Sequence, residues 1–328
     1  MRVLIIGLGS MGRRRARLLQ KYSHSLQITG IDVQTERRKQ AEKELGINTA
    51  ESIDEALRNI KADMAFVSTP PLSHASVIRE CLKKNLHVFT EINLSTIGYD
   101  DNLRLAEKKG KVLFLSSTFL YRKEIQYMKT AVRTCGCPLV YMYHAGQYLP
   151  DWHPWERYQS FFAGKKETNG CREFMAIEFP WIFDVFGEVK SVYSQRSRCS
   201  TLDISFPDTY QIMFEHESGH KGMLAFDIVS RKAVRNFEVS GENLYLAWDG
   251  TPEGLFQYDL DKKKEVQLLL YESVSKRSDY NASIIEDAYY SEIISFLDAV
   301  KGKGKAQYSF EKDKRILELI DKIEETRE

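Results

Sequence analysis

The chain has 328 residues, of which 43% are hydrophobic and 28% are charged. Its 47 basic and 46 acidic side chains leave a formal net charge of +1, so the charge balance favours neither a nucleic acid nor a membrane surface as partner. The length suffices for two domains, and no apolar run approaches the roughly 18 residues of a membrane-spanning helix. The sequence enters an apolar strand directly, without a signal segment, which predicts a cytoplasmic location.

The five cysteines are scattered and odd in number, which argues against a disulfide framework. Cys135 and Cys137 are the only close pair, and no second pair completes a zinc site. We expect these two thiols in a surface turn. His144 and Asp151 lie near each other without the spacing of a metal motif, so no metal site is predicted.

The strongest motif lies in the first twelve residues, MRVLIIGLGSMG. An apolar run over Arg2–Ile6 leads into a glycine-rich turn, and a helix-forming segment follows at residues 13–20. A buried parallel strand, a G-x-G-x-x-G turn and a helix form the dinucleotide-binding fingerprint, in which the helix start attracts phosphates. The predicted cofactor-binding residues of this turn are Gly7, Leu8, Gly9, Ser10, Met11 and Gly12.

The three glycines have different expected roles. Gly7 permits the tight turn, and Gly9 leaves no side chain between the backbone and the pyrophosphate. Gly12 allows the helix to pack closely on the strand. The alternative interpretation is an ordinary strand–helix–strand unit whose glycines are incidental.

The cofactor preference depends on Asp32, which ends a second apolar run at residues 26–31. It follows Gly12 by twenty residues, where a carboxylate accepts hydrogen bonds from the adenosine ribose hydroxyls. Asp32 therefore favours NAD, because a carboxylate repels the 2′-phosphate of NADP. Arg37 and Arg38 follow closely and keep NADP open, since they could reach a phosphate.

Strands and helices alternate through the first part of the chain, which predicts a doubly wound parallel sheet. We assign residues 1–120 to a Rossmann dinucleotide-binding domain. The further predicted strands are residues 64–67, 86–89 and 112–115, and the helices between them are residues 72–84 and 99–109.

The segments after the third and fourth predicted strands border the cofactor groove of such a sheet. His74 lies one turn into a helix, and it could instead tie down its own loop. The candidate cofactor-binding residues at this edge are Ser68, Thr69, Pro70, His74, Glu91 and Asn93.

Residues 121–328 are predicted to form an α/β substrate and oligomerisation domain with a large, mostly antiparallel open sheet. Its apolar second face favours a homodimer or homotetramer. The predicted strands are residues 139–148, 189–195, 208–215, 221–229 and 237–247, and the helices are residues 171–186, 284–300 and 312–326. A charged run at residues 261–265 is expected to be a solvated turn.

Three stretches of this sequence resemble the glucose-fructose oxidoreductase / inositol dehydrogenase (Gfo/Idh/MocA) family. They are GLGSMGRRRARLL at residues 7–19, STPPLSHASVIRECLKKNLHVFTE at residues 68–91 and FLYRK at residues 119–123. The closing segment from Tyr280 onward is also similar to the family pattern. The resemblance implies NAD(P)-dependent hydride transfer to or from a sugar, cyclitol or nucleotide sugar. It also implies a second domain whose sheet covers the nicotinamide and often carries the oligomer interface.

The chain departs from the family at the usual proton-transfer residues. Family members read Glu-Lys-Pro where this chain has Glu91, Ile92 and Asn93, and Ile92 can neither bind nor protonate a substrate oxygen. On the long helix of the second domain, Ile177 falls on or beside the family's His, and helix spacing places Glu173 with it. Hydride transfer still needs a group that exchanges the hydroxyl proton.

His153 and Glu178 are the predicted catalytic replacements. Glu178 lies in an apolar stretch, where burial would raise its pKa and make it a usable acid or base. The alternative is a structural carboxylate paired with Arg172 or Arg122. His153 is the best candidate for an acid or base at neutral pH.

His153 belongs to an aromatic loop, defined as residues 148–157 (YLPDWHPWER). Indole rings suit the C–H faces of a sugar, and the polar side chains can bond hydroxyls or a phosphate. The alternative is packing at a domain or subunit interface. The predicted substrate-binding residues are Arg122, Asp151, Trp152, Trp155 and Arg157.

The sequence thus predicts an NAD(P)-dependent dehydrogenase or reductase that acts on the CH–OH groups of a sugar-type substrate with a non-standard proton-transfer residue. Two alternatives stay open. One is a non-catalytic regulatory relative that binds a dinucleotide and a sugar, and the other is a redox-neutral enzyme that uses NAD transiently.

Overall fold

The computed structural model describes residues 1–275 and 284–325, and the chain divides into two compact units. Unit 1 contains Met1–Thr118 and Tyr289–Lys314, and unit 2 contains Phe119–Ala288 and Arg315–Glu328. This division differs from the predicted one because residues 289–314 return to the first unit. Tyr280 and the three residues after it, quoted for the family resemblance, lie outside the described residues.

Unit 1 is built on a parallel sheet with the strand order β3-β2-β1-β4-β5-β6, which is the order of a doubly wound Rossmann fold. The predicted fold class is therefore confirmed. The strands are β1 (Arg2–Ile6), β2 (Gln27–Ile31), β3 (Asn48–Ala50), β4 (Met64–Val67), β5 (His87–Thr90) and β6 (Leu113–Leu115). The prediction omitted β3, because three residues with a single buried side chain give no apolar run.

The helices of unit 1 connect these strands as the alternation predicts. They are α1 (Ser10–Tyr22), α2 (Thr35–Leu45), α3 (Ile53–Asn59), α4 (His74–Lys83) and α5 (Tyr99–Lys109), together with most of α8 (Glu286–Val300). Ser52 caps α3 by accepting a hydrogen bond from the backbone N–H of Glu55. The predicted helix at 72–84 begins with a 3-10 turn at Pro71–Ser73.

An aromatic cluster explains why residues 289–314 belong to unit 1. The rings of Phe66, Phe89 and Phe114 stack in sequence across neighbouring strands, with centroid distances of 4.8 and 5.3 Å. Phe296 of α8 meets all three rings edge-on at 5.2–5.6 Å. Sequence spacing does not show this contact, because it joins residues that are 182 to 230 positions apart in the chain.

Unit 2 contains an eight-stranded sheet in the order β14-β13-β12-β11-β7-β10-β9-β8, in which only β7 and β10 pair in parallel. The strands are β7 (Val140–Gly146), β8 (Val189–Ser197), β9 (Thr209–His216), β10 (Lys221–Asp227), β11 (Val234–Gly241), β12 (Leu244–Trp248), β13 (Leu255–Asp259) and β14 (Lys264–Gln267). The helices are α6 (Lys123–Cys135) and α7 (Gly170–Phe186), and α9 (Phe310–Glu325) contributes residues to both units. The charged run at 261–265, predicted as a turn, covers most of the turn between β13 and β14 and the first two residues of β14. The prediction omitted both strands. Every residue of β14 is exposed, so it lacks apolar alternation.

The two faces of the unit 2 sheet differ in their surroundings. One face is buried against aromatic side chains of α7, where Trp181 packs edge-on against Tyr143 and Phe237. The other face carries an exposed row that cross-strand register brings together. We call this row the methionine face, and its members, each 47–65% exposed, are Tyr193, Met213, Met223 and Met142.

Two further findings bear on location and metals. None of the helices in residues 1–275 and 284–325 is long and apolar enough to cross a membrane. Across the same residues, no cluster of three or more His, Cys, Asp or Glu side chains could hold a metal ion. Cys135 and Cys137 flank the turn after α6, with 3.2 Å between their sulfur atoms.

Candidate functional site

The glycine-rich turn of unit 1 shows three different reasons for glycine. Gly7 has a φ of +90°, and a Cβ there would lie 2.5 Å from the carbonyl oxygen of Ser68. A Cβ on Gly12 would lie 1.8 Å from the carbonyl oxygen of Gly7. Apart from Gly9 and its two chain neighbours, no atom of the described residues lies within 4 Å of the Cβ position of Gly9. Gly7 and Gly12 are therefore required by packing, whereas Gly9 keeps open space beside the backbone.

The start of α1 adds the electrostatics that a phosphate needs. No side chain caps this end of the helix, and its first turn contains no acidic residue. The N-terminal N–H groups and the helix dipole therefore favour an anion from outside the chain. Together with the space at Gly9, this arrangement fits a dinucleotide pyrophosphate held by the turn from Gly7 to Gly12.

Asp32, at the end of β2, is connected to this turn. Its Oδ2 accepts a hydrogen bond from the Leu8 N–H at 2.8 Å, and its Oδ1 accepts one from the Gln34 N–H at 2.9 Å. Each oxygen keeps a lone pair for a ribose hydroxyl. The Arg37 guanidinium lies 3.8 Å from Oδ2, and Arg38 donates instead to the Asp32 carbonyl oxygen at 2.7 Å. The carboxylate is thus preorganised beside the glycine turn.

His74 lies buried behind the loop that follows β4. Its Nε2 lies 2.7 Å from the carbonyl oxygen of Thr69, and its Nδ1 lies 2.8 Å from the side-chain amide of Asn93. Burial lowers the pKa of His74, so the ring is neutral and donates through Nε2. The Asn93 atom that faces Nδ1 is Oδ1, so the neutral ring gains a second hydrogen bond when the Asn93 amide turns its nitrogen toward Nδ1. His74 therefore ties down the loop that carries Ser68, Thr69 and Pro70.

Glu91, at the end of β5, forms a salt bridge with an arginine that the sequence prediction did not include among the site residues. Arg15 of α1 donates to both oxygens of Glu91, at 2.7 and 2.9 Å, and to Glu292 of α8 at 2.8 Å. Burial raises the pKa of Glu292, and the charge of Arg15 opposes that rise. This buried network fixes the helix after the glycine turn against β5. The run of arginines at residues 13–15 gave no signal that one of them is buried.

The structure corrects the prediction for Arg122. This side chain is buried in unit 2, where it pairs with Glu124 at 2.6 Å. Its guanidinium lies 4.8 Å from the ring centroid of Trp248, because a planar cation stacks well on an aromatic face. Arg122 therefore packs inside unit 2, with its guanidinium engaged by Glu124 and Trp248 instead of facing solvent.

The aromatic loop keeps most of its predicted residues accessible. Trp155 is 74% exposed, and Asp151 and Arg157 are exposed as well. The His153 ring stacks on Trp155 at 4.9 Å, and its Nδ1 lies 2.6 Å from Glu156. Trp152 differs, because its Nε1 donates to the Gln147 carbonyl oxygen and its ring packs edge-on against Phe174 of α7.

The structure also corrects the prediction for Glu178 of α7, which is 0% exposed. Its Oε2 accepts from the Tyr143 hydroxyl at 2.7 Å and from Trp181 Nε1 at 2.6 Å, and its Oε1 accepts from Arg235 Nε at 2.9 Å. The alternative of a structural carboxylate is therefore the correct one, with Arg235 as its partner. Arg172 pairs with Asp321 and Glu324 instead.

Glu173, five residues earlier on α7, has different surroundings. It is half-buried, and its Oε2 is enclosed without a hydrogen-bond partner among residues 1–275 and 284–325. Burial raises the pKa of Glu173 to about 8, although the charge of Arg235 acts in the opposite direction. The only sequence signal was its helical spacing from Ile177, which is also half-buried.

Comparisons with known proteins agree with the geometry of the glycine turn. Residues 1–117 match the profile of the oxidoreductase family with an NAD-binding Rossmann fold, Gfo/Idh/MocA. The chain is 32% identical to mouse biliverdin reductase A over 135 residues, which cover 40% of this chain and 44% of that protein. It is 28% identical to the human enzyme over 216 residues, 64% of each chain. The matched span is therefore under two thirds of either relative.

Solved structures extend the likeness of the fold to the whole chain. The UDP-N-acetylglucosamine 3-dehydrogenase of Acidithiobacillus ferrooxidans superposes with a TM-score of 0.74 at 20% identity, covering 99% of this chain and 96% of that one. Identity at this level shows a common fold. In sequence, the likeness to the Gfo/Idh/MocA oxidoreductase family with its NAD-binding Rossmann fold covers residues 1–117.

Proposed function

We propose that this protein is an NAD(P)-dependent oxidoreductase that transfers hydride to or from a sugar, a cyclitol or a nucleotide sugar. The observation that carries the proposal is the open space at Gly9, framed by the uncapped start of α1 and by Asp32. When bound there, a nicotinamide cofactor supplies the hydride acceptor or donor. The chain's own residues bind the cofactor and the substrate and exchange the proton.

The proposed cofactor is NAD in preference to NADP. The Asp32 carboxylate would accept hydrogen bonds from ribose hydroxyls and would repel a 2′-phosphate at the same place. The Arg37 guanidinium, 3.8 Å away, lowers that repulsion without occupying both oxygens. Calorimetric titration of the two cofactors tests this preference, and tighter binding of NADP would contradict it.

A sugar-type substrate is supported by the aromatic loop and by the structural comparison. Trp155 exposes its ring and His153 stacks on it, while Asp151 and Arg157 of the same loop are exposed and can bond hydroxyls or phosphate. The similar structure from Acidithiobacillus ferrooxidans is named for its action on UDP-N-acetylglucosamine. We therefore propose the aromatic loop as the part of unit 2 that binds the substrate.

A second candidate is the reduction of a bilin-like conjugated compound. Both mammalian relatives are biliverdin reductases, and Ile92 stands where the family carries its proton-transferring lysine. Reduction of a conjugated double bond consumes a hydride and a proton, but the proton goes to a carbon or nitrogen atom of the conjugated system, so the reaction forms no alkoxide for that lysine to protonate.

One screen distinguishes the two candidates. The protein is incubated with NAD, NADH, NADP or NADPH and a panel of nucleotide sugars, free sugars, cyclitols and biliverdin, while absorbance is followed at 340 nm, where reduced nicotinamide absorbs. We expect turnover with a member of the sugar-type panel. Turnover of biliverdin alone would favour the second candidate. Cofactor binding without any turnover would favour a non-catalytic regulatory relative.

A further inference from the structure

Two free thiols of unit 2, Cys135 and Cys137, take no part in the proposed reaction. Their sulfur atoms lie 3.2 Å apart, and both residues are half-buried, so solvent still reaches the pair. The other three cysteines have different surroundings, since Cys81 and Cys171 are buried and Cys199 is exposed. The pair therefore combines two properties, access from solvent and a second thiol in direct contact.

The turn between α6 and β7 brings the two sulfur atoms together. Helix α6 ends at Cys135, and Gly136 follows with a φ of +68°. This is the left-handed region, which glycine adopts without strain and which commonly ends a helix. The reversal of the chain at Gly136 leaves the side chains of Cys135 and Cys137 on the same side of the turn.

Both arms of this turn are anchored within unit 2. Before the turn, Lys129 of α6 binds Asp184 of α7 at 2.6 Å. After the turn, the Leu139 N–H donates to Nδ1 of His220 at 3.0 Å, and the Leu139 carbonyl oxygen accepts from the N–H of Lys221 at 2.9 Å. Because both ends are fixed, each thiol meets the other at a high effective concentration.

The local electrostatics keep the pair protonated at rest. The hydrogen bond to Cys135 raises the pKa of the Cys137 thiol, and burial and the charge of Glu242 act in the same direction. Cys135 is the last residue of α6, and the negative end of a helix dipole disfavours a thiolate. The pair is therefore a slow nucleophile. Once one sulfur has formed a mixed disulfide, however, the other lies in position to displace the bound group.

We propose that Cys135 and Cys137 form a reversible dithiol–disulfide site that exchanges with a small disulfide of the glutathione class. One thiol loses its proton and attacks a sulfur atom of the small disulfide, which gives a mixed disulfide and one small thiol. The second protein thiol then loses its proton and attacks the protein sulfur of the mixed disulfide, which releases the second small thiol. The two cysteines lose two electrons and two protons, and the small disulfide gains them. An excess of the small thiol reverses the exchange.

The test measures the ratio of disulfide to dithiol in the full chain at equilibrium with glutathione and glutathione disulfide. After acid quenching and alkylation, trypsin leaves both cysteines on one peptide, residues 134–157, which is analysed by mass spectrometry. At fixed glutathione disulfide, this ratio should fall about 100-fold for each tenfold rise in glutathione, because each protein disulfide releases two glutathione molecules.

Cys199 is the internal control, because it is an exposed thiol on a separate peptide. Its mixed disulfide releases one glutathione molecule and should fall about tenfold for the same tenfold rise. Cys137→Ser is the matched variant, in which Cys135 should change to the tenfold dependence of Cys199. Cys199→Ser should leave the dependence of the pair unchanged. A tenfold dependence of the pair in wild type contradicts the proposal, as does a pair that stays reduced where Cys199 is fully modified.

A second measurement shows that the fold aligns the two thiols, beyond their spacing in the sequence. The same equilibrium is measured in concentrated urea, where the anchors at Lys129 and Leu139 are lost. The equilibrium constant for disulfide formation should be at least about tenfold larger in the folded protein, because the unfolded chain must first bring the sulfur atoms together. Equal constants, or a larger one in urea, would contradict a site formed by the anchored turn. Neither measurement needs a cofactor or a substrate.

Discussion

The glycine turn of unit 1 and helix α7 of unit 2 represent two ways of building a site. In the turn, the important property is the absence of side-chain atoms. Gly7 and Gly12 leave room for neighbouring backbone, and Gly9 leaves open space. On α7, the important property is which partners a carboxylate finds. Glu178 and Glu173 are five residues apart, yet one is bound by three donors and the other has an unpartnered oxygen. The space at the glycine turn depends on local backbone geometry. The state of a carboxylate depends on side chains that are distant in the sequence and close in the fold.

The largest effect should come from removing the charge of Glu178. Glu178→Gln leaves the Arg235 cation without its buried partner, and breaking such a pair costs about 3–5 kcal/mol of unfolding free energy. Urea denaturation measures the loss. Asp184→Asn breaks a half-exposed pair with Lys129 and should cost no more than about 1 kcal/mol. Equal losses of unfolding free energy in the two variants would show that burial does not change how much these two ion pairs contribute to stability.

The next effect separates the glycines that serve packing from the one that serves the ligand. Gly12→Ala places a methyl group against the Gly7 carbonyl oxygen, and such overpacking should cost about 1–3 kcal/mol or more. The added methyl group of Gly9→Ala meets nothing within 4 Å beyond its chain neighbours, so thermal unfolding should be nearly unchanged. NAD affinity measured by calorimetry should fall at least about tenfold, since a blocked phosphate contact is worth over about 1.4 kcal/mol.

Gly304→Ala is the control for this pair, because its Cβ also meets nothing within 4 Å and it lies far along the chain from the turn. It should change neither unfolding nor NAD affinity. Unchanged NAD affinity in Gly9→Ala would remove the main support for the cofactor site.

The methionine face extends the comparison to a surface that we predict to bind a second copy of the chain. An apolar row of this kind is unusual on a monomer, and we expect at least a dimer through it. Met213→Lys combined with Met223→Lys should convert the assembly to a monomer in light scattering at micromolar concentration. The control is Lys221→Ala, an exposed position two residues before Met223. A monomeric wild type would contradict the prediction.

The smallest effect on turnover is expected at His153. Its ring rests on Trp155 and its Nδ1 faces Glu156, so we expect His153→Asn to raise KM for the substrate and to change kcat less than about threefold. If the initial hypothesis of His153 as the acid and base holds instead, kcat should fall about 100-fold and NAD affinity should stay unchanged. Steady-state kinetics on a substrate from the screen decide between the two roles.

Local patterns predicted the scaffold of unit 1 well. The glycine turn, the end of β2 at Asp32 and helix α5 at residues 99–109 follow from signals within about twenty residues, where chain geometry alone restricts the choices. Strands β3, β13 and β14 were missed because they are short or exposed and show no apolar alternation. The sequence did not indicate the partners of Arg122 and Glu178, because composition does not show which side chains form ion pairs and hydrogen bonds in the folded chain.

By itself, the sequence determined that the chain begins with a dinucleotide-binding turn and that a second, sheet-rich part follows. These features depend on backbone requirements and on short-range periodicity, and both can be read from residues that are close together in the sequence. Only the tertiary structure decided that Arg15 joins Glu91 to Glu292 and that Arg235 binds Glu178. It also decided that one oxygen of Glu173 stays unpartnered in the described part of the chain. Hydrogen bonds and desolvation act over a few ångströms in space, so residues 57 to 277 positions apart determine which partners a carboxylate finds.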